Sequence, residues 1–103
     1  MNEFLLLNKA EKIVLSRHAK DRLIERGILI NDVIVCIQTG EKITDYFDDK
    51  PLPSCLVLGK SLAGKSLHIV ISTDHDFIYL ITAYYPDPLL WSDDYRVRKG
   101  RLI

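Results

Sequence analysis

CLVLGK (residues 55–60), SLHIVIS (66–72) and FIYLITAYY (77–85) are three runs of aliphatic, β-branched and aromatic residues set two short turns apart. Runs of this length and composition, bounded by turn residues, read as β-strands. SLAGK (61–65) and TDHD (73–76) are short enough for hairpins, so the strands that they join must run antiparallel. Upstream, KITDYF (42–47) makes a fourth strand, and DDKPLPS (48–54), with two prolines and an acidic pair, is a turn. Alternation puts Leu67, Ile69 and Ile71 on one face of their strand and His68, Val70 and Ser72 on the other. In the last strand Ile78, Leu80, Thr82 and Tyr84 alternate with Tyr79, Ile81, Ala83 and Tyr85. His68 lies opposite three large aliphatics, so it looks away from the core that helices would cover.

The first forty residues have a helical period. Ser16 is a natural N-cap for RHAKDRLIER (17–26), and Gly27 stops that helix. Ala19, Leu23 and Ile24 are its apolar side, while His18, Arg22 and Arg26 follow at spacings of four and form one stripe. A second helix starts near Asn31 and runs through DVIVCIQT to Gly40, where glycine can take a left-handed cap; Val33, Ile34 and Ile37 are its buried side. Residues 2–10 fit a further helix or a strand equally well. The expected fold is therefore α+β: two helices, or three, packed on a four-stranded antiparallel sheet, with residues 1–103 as a single domain.

Composition bounds what such a domain can do. The 48% hydrophobic and 27% charged content belongs to a globular chain, not a disordered one. A chain of 103 residues buries about 60–70% of its unfolded surface, so an active site should be a shallow groove. Cys36 and Cys55 have neither zinc-site spacing nor the density of a disulfide scaffold, and read as buried reduced thiols. The apolar run Phe4–Leu7 is too short for a signal peptide, which wants about 7–15 apolar residues, or for a membrane span, which needs about 20. A cytoplasmic location is expected. Net charge is zero, yet residues 1–26 carry six basic against four acidic side chains, and 95–103 carry Arg96, Arg98, Lys99 and Arg101 with no acid. Ends brought together would make one local basic patch; the plainer reading is scattered solvated charge.

Several ordered motifs carry a resemblance. SRHAKDRLIERGI, then a helix, then SCLVLGK, LHIVIS, ITAYYPDPLLW and a terminal YRVRK resemble the DUF4258 family of small microbial proteins, from about Leu15 to Lys99. The family's HA-x-x-R-x-x-x-RG opening, LH strand and IT-x-Y strand are all present. That resemblance implies similarity to the RelE-like and MqsR-like toxin ribonucleases, a fold of the BECR type that cleaves RNA without a metal or other cofactor and is neutralised by an antitoxin protein. A non-catalytic RNA- or protein-binding module of the same fold is the alternative.

Metal-free RNA cleavage needs a base for the ribose 2′-hydroxyl proton, an acid for the leaving oxygen and cations for the phosphorane charge. On this reading His18 and His68 supply base and acid, Arg22, Arg26 and Arg98 hold phosphate, and Tyr84 and Thr82 donate hydrogen bonds, stack or orient. Each has a plainer reading too. The helix start favours a neutral His18 that bonds a neighbouring loop, His68 can be a satisfied strand histidine, and Tyr84 can be a sheet-end aromatic. His18, His68 and His75 lack metal-ligand spacing. Gly59–Ser66 has the letters of a phosphate loop, but a strand follows where a helix is required.

Overall fold

The computed structural model describes residues 1–100; Arg101, part of the basic tail, lies outside the described residues. In chain order the elements are α1 (Asn2–Leu6), a 3-10 turn (Ala10–Lys12), β1 (Ile13–Leu15), α2 (Arg17–Arg26), α3 (Ile30–Thr39), β2 (Glu41–Tyr46), β3 (Ser54–Lys60), β4 (Ser66–Thr73) and β5 (Ile78–Tyr84). The sheet order is β1-β5-β4-β3-β2.

The four antiparallel strands expected from the sequence are present, but the sheet is five-stranded and mixed, because Ile13–Leu15 pairs parallel to Ile78–Leu80. Three residues are too few to show a period, so tertiary pairing alone makes this strand. Residues 2–10 resolve into α1 and the start of the 3-10 turn.

Helix α2 forms as its caps dictate. The Ser16 hydroxyl accepts from the Ala19 amide at 3.0 Å, and Gly27 closes the helix in the left-handed region at φ 65°. Ala19 and Leu23 are buried, but Ile24, expected beside them, is exposed; it lies one step round the helix from Leu23. Helix α3 corrects two capping expectations. Its N-cap is Leu29, not Asn31, because the buried Asp32 carboxylate reaches back to the Leu29 amide at 2.8 Å. The other Asp32 oxygen accepts from the Leu62 amide at 2.9 Å, tying the β3–β4 turn to the helix. Gly40 is extended (φ −92°, ψ 169°) and not left-handed. It is glycine for space: a Cβ there would run into the Cys36 carbonyl oxygen, as would one on Gly59.

Helix residues Leu23, Val33, Cys36 and Ile37 meet Cys55, Val57, Leu67, Ile69, Ile71 and Leu80 in one core on one face of the sheet. Both thiols are buried, and desolvation pushes Cys36 up to about 12. The other face carries Leu56, Leu58, His68, Val70 and Ser72. In β5 simple alternation fails at a bulge: Ile71 faces Leu80, yet Val70 faces Thr82 and His68 faces Tyr84. The extra residue, Ile81, moves Thr82 and Tyr84 off the core face and onto that of His68.

The fit of α3 on β3 through Gly59 gives the first test. Gly59→Ala forces the helix off the sheet and should cost about 3 kcal/mol, at the upper end of overpacking penalties. The measure is a lower urea midpoint with an unchanged slope.

Candidate functional site

The outer face of the sheet is divided. Beyond β5, residues 86–99 fold back across it as a strap. Leu90 and Trp91 amides bond the Asp87 carbonyl, Lys99 bonds the Leu90 carbonyl at 2.8 Å, and Trp91 bridges Arg98. The Trp91 ring stands edge-on to His68 with centroids 4.4 Å apart, and Tyr84 packs on the same imidazole at 5.3 Å. His68 is 0% exposed.

Both its nitrogens are engaged. Nε2 lies 2.8 Å from the Tyr95 carbonyl oxygen, which can only accept, so Nε2 carries the hydrogen. Nδ1 is then the acceptor, and the Tyr84 hydroxyl donates to it at 3.3 Å. Burial lowers the His68 pKa below 6.5, with the Tyr95 bond opposing. Tyr95 holds that carbonyl in place from a left-handed backbone, φ 61°, which few non-glycine residues adopt. The expectation that His68 is an accessible acid or base is therefore corrected. It does face away from the helices, but the strap seals it.

Solvent reaches the rest of the face only in part, because Leu56 and Ser72 are buried there too. A groove runs between α2 and the loop joining β2 to β3, formed by two contiguous depressions of about 730 and 750 Å³ that share Asp49 and Ile81. His18 lines the first with Ser72 and Tyr79; Tyr46, Phe47 and Thr82 line the second. Tyr79 is fixed there by its hydroxyl, which donates to Asp74 at 2.6 Å.

Arg26, two turns along α2 from His18, donates from Nη1 to the Ala83 carbonyl at 2.8 Å and to the Thr82 hydroxyl at 3.3 Å. Arg22 stands between them on the stripe, held by both oxygens of Glu25 at 2.9 Å. Burial raises the Tyr84 pKa, with Tyr46 acting in the same direction and Arg98 and Arg26 opposing. Of the two basic ends, Arg26 and Arg98 act on the Tyr84 hydroxyl, while Arg96 pairs with Glu41. Arg98 also stacks on Trp91, 6.0 Å from the ring centre.

Of the residues singled out in the sequence, the fold brings together Arg26, Thr82, Tyr84 and Arg98, and puts His18 further along the same groove. It separates His68 by burial. His75 sits apart in the β4–β5 turn against Glu3, and among the described residues no three His, Cys, Asp or Glu side chains cluster as metal ligands. The reading of the sequence passed over Trp91, Tyr95, Tyr46 and Phe47. The signal for Trp91 was its place after Leu89-Leu90 as the only tryptophan; so large an apolar ring needs a surface to cover.

The seal makes a prediction with a fixed sign. Between the lowered folded pKa and 6.5, the unfolded chain binds a proton that native His68 does not, so stability falls as pH drops below 6.5. Asp74 and Asp94, whose pKa values are lowered by hydrogen bonds, add a separate loss below 3.8. In thermal unfolding followed by Trp91 emission, His68→Gln should flatten the upper limb and leave the lower one. His68→Ala should cost about 3 kcal/mol through the cavity and the orphaned carbonyl.

The sequence model of the family described as Domain of unknown function (DUF4258) matches residues 15–85. That span holds His18, Arg22, Arg26, His68, Thr82 and Tyr84, and ends before Trp91, Tyr95 and Arg98. No curated protein and no solved structure matches the chain. No helix among the described residues is long and apolar enough to cross a membrane. With well over half of its length inside the match, the chain belongs to the DUF4258 family.

Proposed function

We propose that this chain is a RelE-like, toxin-type endoribonuclease that cleaves RNA without a metal in the groove between α2 and the β2–β3 loop. The observation that carries this reading is the placement of His18 and Arg26 on one helix face beside an uncovered sheet surface, with Thr82 bonded to Arg26. Eight residues of helix span roughly 12 Å, a length over which one strand lays successive phosphates. Arg26 keeps further N–H donors for a phosphate oxygen beyond the two bonds that orient it.

The chemistry assigned to the groove is transesterification. His18 takes the 2′-hydroxyl proton as the 2′-oxygen attacks phosphorus. The bond to the 5′-oxygen breaks, giving a 2′,3′-cyclic phosphate and a 5′-hydroxyl that takes its proton from solvent. Arg22, one turn from His18, steadies the phosphorane charge by exchanging its exposed pair with Glu25, a contact of little energetic weight. His68 acts through Tyr84: its Nδ1 accepts the hydrogen bond that the phenol donates, so Tyr84 keeps its proton and turns an oxygen lone pair outward. An antitoxin protein would neutralise this activity by covering the groove.

A second reading, a non-catalytic RNA- or protein-binding module, is favoured by the sealing of His68, which leaves His18 as the groove's lone histidine. The two separate in one assay. With EDTA present, the purified chain should cut single-stranded RNA to 2′,3′-cyclic phosphate ends. His18→Ala should slow this by about 100-fold or more, as for loss of a general base. RNA left uncut by the wild-type chain contradicts the catalytic reading.

A further inference from the structure

The two walls of the groove carry opposite charge. On the α2 side stand His18 and, bonded to the groove residue Thr82, Arg26; on the side of the β2–β3 loop stand Asp45, Asp48 and Asp49, with Lys50 the one cation among them. Asp45 is paired with Lys42 at 3.1 Å, and Asp49 accepts from the Ser54 hydroxyl at 2.6 Å. A polyanion lying flat in such a groove would be repelled by one wall. A ligand with an anionic side and a neutral, N–H-bearing side would suit both.

The hairpin wall also ends in two aromatic rings, Tyr46 and Phe47, exposed at 40% and 75%. Single exposed apolar residues are common and mean little alone. These two differ in position: they line the same depression as Val70, Ile81 and Thr82, and Thr82 is the residue that Arg26 bonds. The β2–β3 pairing ends at Tyr46 opposite Ser54, so Phe47 stands past the last ladder position, where no strand neighbour covers its ring.

We propose that Tyr46 and Phe47 form a stacking platform for one unpaired nucleobase, with the attached phosphate turned to Arg26. This rests on the RNA reading above and narrows its substrate to single-stranded RNA. A base held in a duplex is already stacked on both faces and cannot lie on the platform. A free base offers its π-face to Phe47 and its N–H edges to the carboxylates of the hairpin, while its phosphate stays on the cationic side.

The test is fluorescence anisotropy at low ionic strength with an end-labelled 2′-O-methyl RNA octamer, which cannot be cleaved, and with its duplex. Wild type should bind the single strand more tightly than the duplex. Phe47→Ala, a change at an exposed loop position checked by an unchanged melting curve, should weaken single-strand binding about 10-fold or more. Its duplex binding should not change, and Phe47→Trp should restore the single-strand affinity. If Phe47→Ala binds like wild type while Arg26→Gln binds more weakly, the platform is wrong and the RNA reading stands. If wild type binds neither probe, both fail.

Discussion

The imidazole of His68 gives one nitrogen to the Tyr95 carbonyl and the other to the Tyr84 hydroxyl, beneath the ring of Trp91. A buried imidazole with a single acceptor, a single donor and two edge-on aromatic neighbours has one stable arrangement, the neutral Nε2–H form. That arrangement holds the strap to the sheet. It sets Tyr84 at the boundary of the covered area, and it leaves the β5 bulge, Thr82 and the α2 rim as the uncovered part. The position of the groove follows from the seal.

The groove itself is made by elements that serve the core on their other side. Helix α2 buries Ala19 and Leu23 and so must present His18, Arg22 and Arg26 along a different face. The bulge keeps Leu80 and Ala83 in the core while turning Thr82 outward to meet Arg26. One extra residue in β5 thus decides whether Thr82 is a core residue or part of a site. Charge is divided in the same way, Arg26 on the helix side and most of the carboxylates, Asp45, Asp48 and Asp49, on the side of the β2–β3 loop.

Much of this was legible in the sequence, because local signals agreed with the fold. The Ser16 cap, the Gly27 stop, the i, i+4 stripe and the four long strands are all set by neighbours within a few residues, and they lie close to where the pattern puts them. What the sequence did not disclose depends on contacts between distant segments. The pairing of Ile13–Leu15 with β5, the bulge at Ile81 and the return of the strap over His68 join residues far apart in the chain. Alternation alone put Thr82 and Tyr84 on the face of Ile78, and only the bulge reverses that. The seal over His68 shows why a histidine in a promising strand is not thereby a reactive one: its exposure was decided by a tryptophan 23 positions later.

The division of the outer face into a sealed half and a working half is tested most directly by long-range ¹H–¹⁵N correlation of the histidine rings during titration with a non-cleavable single-stranded RNA. His18 should shift with added RNA, and His68 should keep the Nε2–H pattern throughout. A His68 signal that moves with RNA while His18 stays still would contradict the assignment of the groove.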